Sequence, residues 1–128
     1  MVKLRQEDIK TKEVLSWKGI HLFHFTFSAC SMKTRIFMGL KNIDYTGHHI
    51  NLQKKENFSP YFQGITPRSL VPVLVDDGEV HIESNDILKY LDNKFPAVSL
   101  IPTDKEEEIN QMMIEENDLH FDIRNITF

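Results

Sequence analysis

The chain has 128 residues, with 15 lysines and arginines against 19 aspartates and glutamates and a formal net charge of −4. This length predicts a domain with its own core. The mildly acidic balance, without long basic runs, predicts no nucleic-acid partner. The single cysteine excludes an internal disulfide and favours a reducing, cytoplasmic compartment. No apolar run approaches the ~20 residues of a membrane-spanning helix, so we expect no membrane partner, and the charged N-terminus does not resemble a secretory signal.

The chain begins with a charged, weakly periodic stretch, residues 1–18, that predicts a loosely attached N-terminal extension. Bulky side chains occupy both alternating sets of residues 20–25, which predicts a strand buried on both faces. A helix over residues 31–41 follows, with Ser31 as its cap. Its inward stripe is predicted to consist of Met32, Ile36, Phe37 and Leu40. A second strand over residues 45–52 completes a right-handed βαβ unit.

A hairpin is the clearest local pattern in the middle of the chain. The polar stretch 53–64 before it predicts one short helix around Pro60. Residues 71–75 and 79–82 are rich in β-branched side chains and flank the dipeptide Asp77-Gly78. An Asp-Gly pair between two such runs predicts two antiparallel strands joined by a tight turn.

Two further helices are predicted after the hairpin. Ser84 caps the first of them, over residues 85–94, and a Pro-bounded linker over residues 97–103 follows. A capping box opens the last helix, over residues 104–128. Its apolar stripe, which has no later partner, consists of Ile109, Met112, Met113, Leu119, Ile123 and Ile126. Because no later segment covers this apolar stripe, we expect the chain alone to be oligomeric or prone to aggregation.

Cys30 lies between the first strand and the first helix. Free backbone N–H groups and the helix dipole stabilise an anion at such a position, and Lys33 and Arg35 follow within about one turn. The alternative is that Cys30 is a small buried hydrophobe. Of the two flanking hydroxyls, Ser31 is the expected cap, and Ser28, which stands too early for one, is more available to a ligand.

Glu83 and Ser84 open a helix directly after a strand. The helix N-terminus offers N–H donors and a hydroxyl to a carboxylate, while Glu83 can accept from an ammonium group. A zwitterionic amino-acid head matches both, although an ordinary cap beside a solvated glutamate explains the same residues. Two interpretations of Pro72 are open: it is either a trans residue at the edge of a strand or the cis residue of a turn.

The six histidines do not form a metal-binding pattern. His48 and His49 are adjacent on a predicted strand and point to opposite faces. His21 and His24 also diverge, and no carboxylate spacing completes a ligand set. We therefore expect no metal site.

These motifs occur in an order that resembles the N-terminal, thioredoxin-like domain of glutathione S-transferases, over about residues 22–104. The matching text is Ser28-Ala29-Cys30-Ser31 with Arg35, Leu40-Lys41-Asn42-Ile43-Asp44-Tyr45, Pro67, Leu70-Val71-Pro72-Val73-Leu74, Asp77-Gly78, Ile82-Glu83-Ser84-Asn85-Asp86-Ile87 and Tyr90-Leu91. The resemblance implies an α/β, thioredoxin-like (β-α-β-α-β-β-α) domain over residues 19–96. Residues 104–128 are then the first helix of a truncated all-helical domain.

The resemblance also implies roles for individual residues, with glutathione as co-substrate. Pro72 becomes the family's cis-proline, and the backbone of Val71 pairs with the cysteinyl part of glutathione. Glu83 and Ser84 hold the γ-glutamyl ammonium and carboxylate. The thiol-activating group has three candidates: Cys30 as in the beta class, whose cysteine can form a mixed disulfide with glutathione, Ser28 as in zeta-like classes, and Ser31 as in bacterial aryl-ether-cleaving relatives.

The function implied by the resemblance is that of a glutathione transferase, bacterial in style and used in detoxification. It activates the glutathione thiol for attack on a small electrophile or a disulfide. A homodimer formed through the sheet domain is expected from the family. The alternative is a transferase-like fold used as a non-catalytic interaction module.

Overall fold

A mixed four-stranded sheet forms the centre of the protein, in the order β2-β1-β3-β4. The structure, a computed structural model, describes residues 3–127, without the side chains of Thr103 and of residues 123–127. The strands are β1 (Ile20–His24), β2 (Thr46–His49), β3 (Val73–Asp76) and β4 (Glu79–His81). β1 is parallel to β2 and antiparallel to β3, and β3 is antiparallel to β4. The sheet therefore has the predicted βαβ unit and the predicted hairpin.

Four α-helices accompany the sheet. They are α1 (Ala29–Leu40), α2 (Pro60–Gln63), α3 (Ser84–Lys94) and α4 (Glu106–Thr127). Short 3₁₀ turns occur at Gln6–Asp8, Lys12–Ser16, Glu56–Phe58 and Thr103–Lys105. The thioredoxin-like fold class, followed by a helical start, is confirmed. No α-helix among residues 3–127 combines the length and the apolar character needed to span a bilayer.

Side chains of β1 alternate between two cores, one on each face of the sheet. Leu22 packs with α1 and α3, in a cluster of Leu22, Met38, Ile43, Leu74, Ile87 and Leu91. Phe23 points the other way and packs with Phe62 of α2. Both side chains are fully buried, as predicted for a strand covered on both faces. β2 is shorter than the predicted strand over residues 45–52, because its partner β1 ends at His24.

The N-terminal segment, residues 3–18, is not loosely attached, and that prediction is wrong. Ile9 and Val14 are fully buried in the core under α2. The amide of Leu4 donates to the carbonyl of Val80 at 2.8 Å, so the segment also runs along the edge of β4. The few apolar residues of this charged stretch show no helical or strand periodicity, and only the tertiary fold shows that Ile9 and Val14 are core residues.

Three of the four residues of the apolar stripe predicted for α1 face away from the core, whereas the fourth, Phe37, is partly buried and packs against the cluster around Leu22 and Met38. Met32, Ile36 and Leu40 are about half exposed or more, and the buried side chains of this helix are those of Ser31, Thr34 and Met38. The small hydroxyl residues are accommodated on the buried side because they bond to the backbone: Ser31 accepts from the amide of Phe25, and Thr34 donates to the carbonyl of Cys30. By contrast, the inward residues predicted for α3, Ile87, Leu88 and Leu91, are buried as expected.

A buried ion pair fastens the linker to the domain. The Lys41 ammonium lies 2.8 Å from the Asp92 carboxylate. Lys41 also donates to the carbonyl of Val98, and the amide of Leu100 donates to Asp92 at 2.8 Å. These bonds join the end of α1, the end of α3 and the linker, so they determine where α4 begins.

α4 packs against the domain through polar contacts. Lys33 forms an ion pair with Glu116 at 2.5 Å, and the amide group of Asn85 donates to the carbonyl of Met113 at 3.2 Å. Met112 and Leu119, two residues of the predicted stripe, are largely exposed. The side chains of Ile123 and Ile126, also predicted there, lie outside the described residues, as does the side chain of Thr103 in the predicted capping box.

Candidate functional site

An open cavity of about 170 Å³ lies where α1, the loop before β3, the start of α3 and α4 meet. Four segments that are distant in sequence contribute to its wall. The predicted site residues on this wall are Cys30, Val71, Pro72, Glu83 and Ser84, and the additional ones are Thr66, Arg68, Leu70, Ile82, Asn117 and His120. The cavity therefore brings together the cysteine, the Val-Pro motif and the Glu-Ser motif.

Cys30 is the second residue of α1 and is partly exposed on the cavity wall. Its carbonyl accepts from the hydroxyl of Thr34 at 2.9 Å, inside the helix. Its thiol therefore lies beside the N-terminal turn of a helix of 12 residues, where the dipole and free N–H groups favour negative charge.

The cap of α1 is Ser28 and not, as predicted, Ser31. Ser28 is the cap of α1, because its backbone is extended and its hydroxyl accepts from the amide of Ser31 at 3.2 Å. Ser31 is buried, and its hydroxyl accepts from the amide of Phe25 at 3.3 Å. The predicted helix start was two residues late, since Ala29 and Cys30 continue the helix toward Ser28. Both hydroxyls are engaged with the backbone.

The Val71–Pro72 peptide bond is cis, as the resemblance implies. β3 begins only at Val73, so Val71 and Pro72 belong to the loop and not to the strand predicted over residues 71–75. Pro72 is buried and Val71 is half-buried on the cavity wall.

Glu83 holds a backbone conformation that is unusual for a residue other than glycine, with φ 71° and ψ 111°. Such a conformation costs on the order of 1–3 kcal/mol and occurs preferentially at functional sites. α3 begins at Ser84, one residue earlier than predicted, so Glu83 and not Ser84 occupies the cap position. Glu83 makes no side-chain capping bond, and its carboxylate instead forms an ion pair with Arg68.

Three residues of the cavity wall are not predicted from the sequence: Arg68, Asn117 and His120. Arg68 follows Pro67 in a loop, and a loop has no helical or strand periodicity from which to predict which way the Arg68 side chain points. Asn117 and His120 reach the cavity because the linker turns α4 back over α3, and the imidazole Nε2 of His120 lies 3.9 Å from the Glu116 carboxylate. The helical spacing of these two residues, three apart, is the one available signal that they share a face.

The histidines away from the cavity pair as the strand geometry requires. His21 Nδ1 lies 2.9 Å from His48 Nε2 on one face of the sheet, while the rings of His24 and His49 meet on the other. Within the described part of the chain, no group of three or more histidine, cysteine, aspartate or glutamate side chains is arranged to hold a metal ion.

Comparison with known proteins matches residues 22–105 to the model of the glutathione S-transferase N-terminal domain. The chain belongs to the glutathione S-transferase family. A zeta-class glutathione S-transferase of Euphorbia esula is 40% identical over 85 residues, which are 66% of this chain and 38% of the relative. The chain thus spans well under half the length of that relative.

Solved structures of this family have the same fold. An epsilon-class glutathione S-transferase from housefly, Musca domestica, superposes with a TM-score of 0.79 at 28% identity, covering 84% of this chain and 52% of the other. Human glutathione transferase theta-2, solved in complex with glutathione and an unknown ligand, has a TM-score of 0.75 at 25% identity, covering 78% and 42%. The relatives of this chain are mostly eukaryotic but include bacterial proteins, so the expected bacterial character stays a prediction.

Proposed function

We propose that this chain binds glutathione in the cavity between α1 and α3 and activates its thiol for attack on an electrophilic or disulfide substrate. The observation that carries the proposal is the meeting of Cys30, Val71, Glu83 and Ser84 on one cavity wall. These are the positions to which the family resemblance assigns the parts of glutathione.

The γ-glutamyl and cysteinyl parts of the tripeptide each have a matching group. The carboxylate of Glu83 accepts from the γ-glutamyl ammonium, and the hydroxyl and amide of Ser84 donate to the γ-glutamyl carboxylate at the start of α3. The backbone of Val71 pairs with the cysteinyl residue. The glutathione sulfur then lies toward the N-terminal turn of α1.

Thiolate stabilisation is the chemical step that this arrangement supports. A cysteine-like thiol with a pKa of ~8.5 is only ~3% ionised at pH 7, and lowering that pKa by about 2 units makes most of it thiolate. The dipole and N–H groups at the start of α1 favour the glutathione thiolate over the thiol. The thiolate then attacks an electrophilic carbon. A new carbon–sulfur bond forms while the leaving group departs with the electron pair of its bond to that carbon, or, in an addition, while the electron pair of a double bond moves to the neighbouring atom and takes a proton from solvent.

Cys30 offers a second route for disulfide substrates. Its thiolate attacks the glutathione sulfur of a mixed disulfide, and the substrate leaves as a thiolate. A second glutathione thiolate then attacks the Cys30–glutathione disulfide, giving glutathione disulfide and restoring Cys30. Of the three predicted activating residues, Cys30 is favoured because it lines the cavity, whereas Ser28 and Ser31 do not belong to the cavity wall.

Retention on immobilised glutathione tests the binding step. We expect the wild-type chain to be retained and eluted by free glutathione, and the double variant Glu83→Ala/Ser84→Ala to flow through. Glu107→Ala, an exposed glutamate in the first turn of α4, is the matched control and should be retained. Equal retention of the double variant would remove the site assignment.

Two activity assays distinguish the chemical routes. Loss of thiol transfer alone in Cys30→Ser indicates the disulfide route, and loss of thiol transfer and conjugation together indicates that Cys30 activates glutathione. Loss of both activities only in Ser28→Ala would transfer that role to Ser28. A chain that assembles with a partner but binds no glutathione at millimolar concentration would instead be an interaction module. Light scattering tests the homodimer that we expect from the family.

A further inference from the structure

Arg68 and Glu83 form an ion pair on the cavity wall, between Arg68 Nη1 and Glu83 Oε1. Arg68 belongs to the loop before β3 and Glu83 to the turn before α3. The Arg68 side chain is 50% exposed and that of Glu83 33% exposed, so both reach into the open side of the cavity. The pair is thus accessible to a ligand and not enclosed in the core.

An ion pair at this place suits a ligand that itself carries two opposite charges. When an ammonium group alone binds Glu83, the Arg68 guanidinium next to it repels the ligand. When ammonium and carboxylate are attached to the same carbon, one binds Glu83 while the other binds Arg68, and the charges alternate around the site. The internal ion pair is then exchanged for two intermolecular ones.

We infer that Arg68 binds the α-carboxylate of the γ-glutamyl group, together with Ser84. This inference rests on the proposed function, and it deepens it by naming a specificity residue for the zwitterionic head. The planar guanidinium matches a carboxylate with two parallel N–H donors, which a lysine ammonium does not. Ser84 is positioned to donate to the same carboxylate from the start of α3.

Two other roles for Arg68 lead to different results. If Arg68 only competes with the ligand for Glu83, its removal strengthens glutathione binding. If Arg68 only fixes the conformation of Glu83, its removal weakens every ligand that uses Glu83, whether or not the ligand has an α-carboxylate. A ligand without that carboxylate therefore separates the three cases.

The experiment measures dissociation constants by isothermal titration calorimetry for two ligands. They are glutathione and 4-aminobutanoyl-cysteinylglycine, which keeps the ammonium group but has hydrogen in place of the α-carboxylate. The variants are Arg68→Ala, Arg68→Lys and, as a matched control, Lys54→Ala, which removes an exposed cation outside the cavity. Circular dichroism and thermal unfolding verify that each variant folds.

We expect Arg68→Ala to weaken glutathione binding by about tenfold, as for the loss of one charge-assisted contact at a partly exposed site. Arg68→Lys should give an intermediate loss, and the analogue should bind Arg68→Ala at least as tightly as wild type, because the guanidinium that repels its lone ammonium group is gone. Unchanged or tighter glutathione binding in Arg68→Ala, or an equal loss for both ligands, would overturn the inference and leave the proposed function intact. No glutathione binding by the wild type would overturn both.

Discussion

Removal of the Asp92 carboxylate tests how the linker and α4 are held. The side chain of Lys41 is fully buried and that of Asp92 is 8% exposed, with 2.8 Å between the charged atoms. Asp92 also accepts from the amides of Leu100 and Ile101, and from the hydroxyl of Ser99. Asp92→Ala therefore leaves a buried ammonium uncompensated and three further donors without their acceptor.

Breaking a buried ion pair on one side costs about 3–5 kcal/mol, which is a large part of the ~5–15 kcal/mol stability of a typical domain. We expect Asp92→Ala to lose about that amount in urea unfolding followed by circular dichroism. The double variant Lys41→Met/Asp92→Leu removes both charges and should recover part of the loss. A loss below about 1 kcal/mol in Asp92→Ala would refute this reasoning. So would a double variant whose loss equals the sum of the losses in the single variants Lys41→Met and Asp92→Leu.

The same carboxylate should contribute to stability in a pH-dependent way. Burial alone would raise the pKa of Asp92, but the amide of Leu100 and the ammonium of Lys41 outweigh it and hold the pKa below the usual 3.8. A depressed pKa in the folded state contributes stability above pH 3.8 that disappears as the pH falls through the folded value. In Asp92→Ala, the free energy of unfolding should therefore depend less steeply on pH below pH 3.8 than it does in the wild type.

Three further changes follow from burial and backbone geometry. Burial lowers the pKa of three histidines, His24, His48 and His81. As the pH drops below 6.5, the unfolded chain therefore takes up protons on these histidines before the folded chain does, so the free energy of unfolding should fall. The fall should be smaller in His81→Gln, and a free energy of unfolding that does not change with pH in this range would contradict the prediction. Ile9→Ala should cost about 2–5 kcal/mol in urea unfolding because its side chain is fully buried, whereas a loosely attached segment would lose nothing. Gly78→Ala should lower the melting temperature, because the φ of Gly78 is +85° and the added Cβ would lie 2.2 Å from a backbone oxygen. Gly39→Ala should raise the melting temperature, because Gly39 lies within α1 and its added Cβ would meet open space. Shifts of the same sign and size in the two variants would refute this contrast.

The sequence predicts those elements whose signals are local. The Asp77-Gly78 hairpin and the inward face of α3 follow from turn chemistry and from helical spacing, and both occur in the structure. Asn42, which follows the end of α1, has the left-handed conformation that asparagine commonly adopts after a helix, with φ 60°. At these positions the local preference and the tertiary fold agree, so no contact from elsewhere changes the outcome.

The incorrect or missing predictions concern residues whose placement depends on contacts between distant segments of the chain. Ile9 is a core residue because α2 and the sheet enclose it, and nothing near it in sequence indicates that. In α1, which packs against α3, Ser31 is buried and Met32 is exposed, so most of the expected stripe lies on the outer side of the helix. Arg68 enters the cavity wall because the fold brings its loop to Glu83. Hydrophobic patterning does not encode these placements.

Glutathione binding at the α1–α3 cavity is the central claim, and amide chemical-shift mapping by NMR tests it most directly. Titration with glutathione should give saturable shifts concentrated at Cys30, Val71, Glu83 and Ser84. Glu83→Ala/Ser84→Ala should remove these shifts while the rest of the spectrum shows an intact fold. No shifts at millimolar glutathione, or saturable shifts confined to another face such as that of His48, would contradict the account.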